Sequence, residues 1–298
     1  MIRSKSSVRV RTSLGERVFS VVNVAFLILV AGICLFPFLH EAARSFSEES
    51  AIVGGQVSIF PVGFHTGAYE KILENVGMRS ALRFTIILTV LGTIVNLTVT
   101  TLGAYPLSKR QLVGRRAIWL FILFTMFFNG GLIPTFLVVR SVGLLDRIWA
   151  LILPVAVSTF NLIIMMTFFQ GIPDSLEESA RMDGCSDFGI LVRIVLPLSL
   201  PVLATMTLFY SVGHWNQFFL ALIYINDTSK FTLQLKLRQL VIQDNIQAAM
   251  EGSAFVQAIP RESIKAAAVM YATVPILIVY PWLQKYFVKG ALLGSLKG

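Results

Sequence analysis

Charge is scarce in this sequence. Only 14% of its 298 residues are Asp, Glu, Lys or Arg, while 55% are hydrophobic and the mean hydropathy is +0.75. A soluble domain carries about 25% charged residues, so an ordinary water-facing fold of this length is excluded. Cysteine is nearly absent. Cys34 and Cys185 lie in unlike surroundings, which excludes a disulfide framework or a thiolate metal centre and leaves inert structural thiols. Histidine is equally sparse: His40, His65 and His214 are scattered, and no H-E-x-x-H pair exists. There is no G-x-x-x-x-G-K-[ST] loop to cradle nucleotide phosphates, so ATP cannot be bound in that manner. No tract repeats at a fixed period, no polar stretch is long enough to form an enzymatic domain, and the ~10-residue alternation of a membrane barrel is missing.

What is present is a set of long windows without Asp or Glu. They cover residues 18–40, 84–108, 117–139, 148–173, 194–226 and 266–284. Each exceeds the roughly 17 residues a membrane-spanning helix needs, and only helices satisfy the backbone within such segments. The expected fold is an all-α membrane protein of six transmembrane helices. The first window is too long for a signal-peptide core and no A-x-A-type site follows it, so it reads as a retained helix. The tail before it carries five Lys/Arg and one Glu, and the loop "LSKRQLVGRR" carries four basic residues and no acid. The positive-inside rule places both in the cytoplasm. The expected organisation is then a cytoplasmic tail at 1–17, a six-helix domain at 18–284 and a second cytoplasmic tail at 285–298. Outer loops fall near 41–80, at "RSVGLLDR" and at 227–262. In the last, "FTLQLKLRQLVI" begins with alternating leucines, which suggests a strand or extended segment.

One segment on the cytoplasmic side is different. "ESARMDGCSDFGILVRIVLP", residues 178–197, holds five charged residues between apolar flanks. With its approach "GIPDSLE" it reads as two short helices joined at a glycine. Pro173 suits a helix start. Ser175 and Glu178 have the spacing of a capping box, and Asp174, Glu177 and Glu178 complement the helix dipole. Gly184 supplies the turn at the helix end, and Ile194, Leu196 and Pro197 lead back to the membrane. An amphipathic helix lying on the bilayer would also account for the composition.

The spacing Glu178-Ser179-Ala180, three residues, Gly184, nine residues, Ile194-x-Leu196-Pro197 resembles the EAA loop of ATP-binding-cassette import permeases, E-A-A-x3-G-x9-I-x-L-P, with Ser179 in place of the second alanine. "NGGLIPTFLVVRSVGLLDRIWALILPVAVSTFNLIIMMTFFQGIPDSLEESARMDG", "SVGHWNQFFLALIYI" and "QKYFVKGALLGSLKG" are similar to the maltose-permease-like carbohydrate-uptake permeases. The similarity is to the subgroup serving oligosaccharides of polysaccharide origin, uronate polymers such as alginate included, with neutral oligosaccharides as the alternative. The resemblance implies a non-enzymatic translocation subunit in the bacterial inner membrane, paired with a homologous second permease. It also implies two copies of a cytoplasmic ATPase that bind ATP and Mg, and a solute-binding protein outside; this chain would hold no cofactor or metal and bind no nucleic acid. The loop 171–200 would dock the ATPase through Glu178, Ser179, Ala180, Asp183 and Gly184, with Glu178 the ion-pairing residue. The loop 227–262 would meet the solute-binding protein.

Polar residues inside membrane windows are costly and often mark a pathway. Asn129 and the run His214-Trp215-Asn216-Gln217 are the candidate substrate-pathway residues: Trp215 to stack on a sugar ring, the amides to bind hydroxyls. Asn96 and Asn161 are better explained as glue between helices, a reading open for the 214–217 run as well. Pro134 is expected to bend the third span, and Arg83 to snorkel toward headgroups or to face a cavity. An autonomous secondary transporter would need intramembrane carboxylates or inverted repeats, and a membrane enzyme a catalytic carboxylate pair or His cluster; neither set is present.

Overall fold

A computed structural model of the chain describes residues 14–240 and 261–295, and among these every regular element is a helix. Three helical stretches are long and apolar enough to cross a membrane: α1 (Leu14–Ser45), α4 (Val76–Ser108) and Glu262–Val279 within α15 (Arg261–Ser295). Three further pairs of shorter helices qualify only when taken together, because each is broken by a sharp bend. These are α5 (Arg115–Phe127) with α6 (Leu132–Ser141), bent by 115°; the short α7 (Trp149–Ile152) and its 3₁₀ extension to Val155 with α8 (Thr159–Gln170), bent by 57°; and residues 187–198 with α12 (Leu200–Trp215), bent by 84°. Counting each bent pair as one crossing gives up to six, by length and composition.

The first break has a visible cause. Asn129 Oδ1 accepts the Gly131 N–H at 2.9 Å, and Gly131 sits at φ +84°, ψ 173°, a conformation reserved for glycine. Pro134, expected to bend this span, lies instead in the first turn of α6, where a missing N–H leaves no bond unmade.

Two compact units can be distinguished. In one, residues 14–69 and 261–270, Ala43, Ala51 and Val57 form a small core beside α2 (Glu49–Val53). The Glu49 carboxylate caps the start of α15 by accepting the N–H groups of Glu262 and Ser263 at 2.9 and 3.0 Å. Arg44 ties to Glu41 and to Glu262 at 2.8 and 2.6 Å. Phe46 stacks between Phe64 and Tyr69; Tyr69 lies in α3 (Gly67–Glu74).

The other unit is built around α4, which packs against α12 and α8. Asn75 starts α4 by accepting the Met78 N–H at 3.0 Å. Its buried stripe runs through Ala81, Thr85, Leu88, Gly92, Asn96, Thr100 and Ala104 at three- and four-residue steps. Two apolar clusters sit at its two ends. One, around Tyr105, Met165, Phe169, Val195, Met206 and Tyr210, also holds Ala180 and Ile190. The other, around Leu88, Ala150–Ile152, Tyr224, Phe231 and Leu235, is joined by α13 (Phe219–Tyr224) and by a helix at 233–240, α14. That last helix replaces the strand expected at "FTLQLKLRQLVI". Thr232 opens it, its hydroxyl and carbonyl accepting the N–H groups of Leu235 and Lys236. Leu233 and Leu235 are both buried, so the alternation reports a helix covered on a wide arc rather than one face of a sheet.

Candidate functional site

The charged loop folds as α9 (Asp174–Met182), α10 (Asp187–Ile190), a π turn through Val195 and α11 (Leu196–Leu198). The expected capping box does not form. Pro173, extended and unable to cap, precedes the first helical residue, and Ser175 lies inside α9 with its carbonyl accepting from Ser179 Oγ at 2.8 Å. The other end follows expectation: Gly184 adopts φ +80°, its N–H reaches Arg181 O at 3.0 Å and the Cys185 N–H reaches Ala180 O at 2.9 Å. This is a Schellman closure. Ser186 then caps α10 by accepting the Gly189 N–H at 3.2 Å.

α9 is anchored on one face and open on the other. Ala180 enters the apolar cluster at the end of α4. Glu177 is buried and ion-paired to Lys109, the residue that ends α4, and Lys109 also lies 4.9 Å from the centre of the Tyr105 ring. A charge so shielded is held only because its partner is there. Glu178, one residue on and about 100° around the helix, leaves that buried face. Glu178, Ser179, Asp183 and Gly184 are exposed, and beside them Met182 is 88% exposed, Phe188 67% and Leu176 43%. Acidic groups interspersed with uncovered large apolar side chains make an amphipathic surface suited to meet another protein or the bilayer face. Of the five residues expected here, four lie on the open surface and Ala180 faces inward. The pair Glu177–Lys109 was not foreseen; no local pattern links residues so far apart in the chain.

Nearer the middle of α4 lies a second polar group. His214 Nε2 is 3.1 Å from Asn96 Nδ2, which also donates to Val155 O at 3.2 Å. Glycine at 92 makes this approach possible, since a Cβ there would come within 2.5 Å of His214 Nε2. Gln217 Nε2 donates to Leu151 O at 3.0 Å, and Tyr210 OH pairs with Thr100 Oγ1 at 2.7 Å. Asn96, Tyr210, His214 and Gln217 border a cavity of about 300 Å³ together with Ser158, Asn161, Phe209 and Gly213. Asn96 Oδ1, His214 Nδ1 and Gln217 Oε1 are themselves buried from solvent, so this group packs helices together as well as bordering the cavity. Trp215 is buried and its indole N–H donates to Ala272 O at 3.1 Å, joining α12 to α15. Asn216 is exposed just past the end of α12. Asn129 stands apart at the α5–α6 bend, and Arg83 lines a separate surface groove with Arg79 and Phe84.

Close to the α13 end, Asp146 takes a left-handed backbone (φ 59°) and accepts the N–H groups of Asn226 and Asp227, which lowers its pKa. Asp227 in turn accepts from Ser229 N–H and Oγ and is held down to about 2.

Residues 112–292 match the family model described as binding-protein-dependent transport system inner membrane component. The chain belongs to that family. It is 47% identical over 284 residues to the polygalacturonan/rhamnogalacturonan transport system permease protein YtcP of Bacillus subtilis, covering 95% of this chain and 99% of that one. It is 30% identical to the trehalose/maltose transport system permease protein MalG of Thermococcus litoralis, over 91% and 94% of the two chains. Among solved structures it is similar to a chain of a bacterial ABC transporter involved in the import of the acidic polysaccharide alginate. The TM-score is 0.84 and the identity 34%, covering 93% of this chain and 99% of that one. The permease, whose regular elements are all helices among the described residues, is thus a component of an inner-membrane transport system.

Proposed function

We propose that this permease is the translocation subunit of an ATP-driven importer of oligosaccharides cut from an acidic polysaccharide, a uronate polymer of the alginate or polygalacturonan kind. It crosses the membrane six times, three of the crossings bent, with both termini in the cytoplasm. It pairs with a homologous second permease, receives sugar from a solute-binding protein at the 227–262 side, and rests on two copies of an ATPase that bind ATP and Mg. The chain's own part is mechanical: α9, within the loop 171–200, seats in the ATPase and passes its movement to the bundle, while the polar turn at 214–217 borders the path of the sugar.

The observation that carries this reading is α9 itself, a short helix fixed to α4 by Ala180 and the Glu177–Lys109 pair while Glu178, Ser179, Met182 and Asp183 stand uncovered. The test is co-purification. Tagged permease drawn from native membranes brings an ATPase with it, and permease that arrives alone sinks the proposal. The trehalose/maltose relative favours a second reading, a neutral oligosaccharide as cargo; uptake of paired acidic and neutral sugars separates the two.

A further inference from the structure

We infer that α14 and the turn after α12 form a carboxylate-reading alcove, in which Arg238 pairs with the acid group of a uronate residue on its way in. The inference rests on the transport reading above and names the side chains that give it its charge preference.

α14 is rigidly placed. The Leu233 N–H donates to Thr85 Oγ1 of α4 at 2.8 Å, and Leu233 and Leu235 are buried. Residues three and four apart share a helix face, so Gln234, Leu237 and Arg238 point together. They face the 216–218 turn: Gln234 Nε2 lies 3.5 Å from Asn216 Oδ1, and the Arg238 guanidinium lies 4.8 Å from the centre of the Phe218 ring. The space between, about 340 Å³, is bordered by Asn216, Phe218, Gln234, Leu237 and Arg238.

That set suits an acidic sugar. Arg238 is exposed and makes no ion pair among the described residues, and no carboxylate borders the alcove. A guanidinium stacked on an aromatic ring is fixed in plane while its edge N–H groups stay free, the arrangement that receives a carboxylate through two parallel bonds. Asn216 and Gln234 add amide donors and acceptors for hydroxyls, and Leu237 and Phe218 an apolar surface for a ring's C–H face. Lys236, on the same helix, is directed elsewhere: its ammonium lies 5.0 Å from the Phe231 ring and about 4 Å from where a Cβ on Gly77 would sit. The alcove thus has one cation positioned to read an acid. The same turn continues into Gln217, which with His214 borders the neighbouring cavity.

The test uses the complete importer in vesicles, measuring ATP-dependent uptake of oligouronides from polygalacturonan and from alginate, and of their carboxyl-reduced neutral counterparts. Arg238→Gln raises KM for the oligouronide about tenfold or more, the worth of one charge-assisted pair, with the maximal rate and subunit recovery unchanged. Arg238→Lys restores part of the loss, Lys236→Gln changes nothing, and neutral sugars are taken up by Arg238→Gln as by the parent. An unchanged KM in Arg238→Gln, or a loss shared equally by acidic and neutral sugars, overturns the alcove and leaves the transport reading standing. A parent importer that takes up no oligouronide overturns that reading and the alcove with it.

Discussion

The α9 loop and the turn that follows α12 are both short polar interruptions of an apolar chain, but they are built differently. The α9 loop is anchored to α4 by Ala180 and the Glu177–Lys109 pair. It takes its shape, however, from neighbours in sequence: Ser186 caps its own helix three residues on, Gly184 turns the chain over Ala180, and Arg181 pairs with Asp187 at 2.8 Å. The turn at 214–218 is held by partners far along the chain, Asn96, Leu151, Gln234 and Ala272. A surface that must fit another protein's cleft gains from a self-contained shape. A surface along a sugar's path gains from being made of several elements, because their relative movement can open and close it.

The sharpest way to break the comparison is at its adjacent acids. Glu178→Lys reverses the exposed charge and is expected to lower uptake at least about a hundredfold, as interfacial charge repulsion of several kcal/mol requires. Membrane insertion should stay normal; undiminished uptake by this variant removes α9 from the coupling role. Glu177→Leu acts within the chain. It strands Lys109 and destabilises the permease by about 3 kcal/mol, the low end for a buried pair because Lys109 is partly exposed. The double variant Glu177→Leu/Lys109→Met should recover much of that loss in thermal unfolding, and failure to recover means that the pair is incidental.

At the other region, Gly92→Ala drives a methyl into His214 and should reduce stability by about 1–3 kcal/mol. A further exchange, His214→Ala, should make room for the methyl and render the two changes strongly non-additive. Gly184→Ala meets no atom within 4 Å, so only the left-handed backbone opposes it, at about 1–2 kcal/mol; a larger drop would mean that the turn carries more than its geometry. The smallest effect concerns pH. Asp227 has its pKa depressed to about 2 by Ser229, so the order it gives its loop is complete above the ordinary carboxylate range near 4 and is lost as pH falls toward 2. Amide exchange at Ser229 should accelerate only in that window.

Much of the α9 loop was legible because its rules are local. A glycine at a helix end announces itself at fixed spacing. The same locality misled at Ser175 and Glu178, where S-x-x-E spacing occurs without a cap because the helix starts two residues earlier, with Pro173 in the N-cap position. It was also silent on which of two adjacent glutamates is buried, since that depends on Lys109, 68 residues away. The apolar windows marked where membrane helices run but not where they break: hydropathy averages over residues 128–131, whereas the bend is set by one glycine and one asparagine side chain. Three alternating leucines suggested a strand because the pattern cannot show that α14 is covered on two sides. For the 214–217 run, packing and pathway were both open readings. The geometry shows Trp215 engaged with α15 and Gln217 with residue 151, and leaves Asn216 facing Gln234.

α4 touches every one of these places. Lys109 at its end meets Glu177, Asn96 near its middle meets His214, and Thr85 closer to its start holds α14 beside Arg238. At 1.5 Å per residue its 33 residues form a rod about 50 Å long. One residue inserted between Asn96 and Lys109 would turn the two halves by about 100° relative to each other, putting the contacts of the 214–218 turn and those of α9 out of register. Under the proposed function, sugar recognition at one end and ATPase contact at the other would then be uncoupled, with transport lost between them.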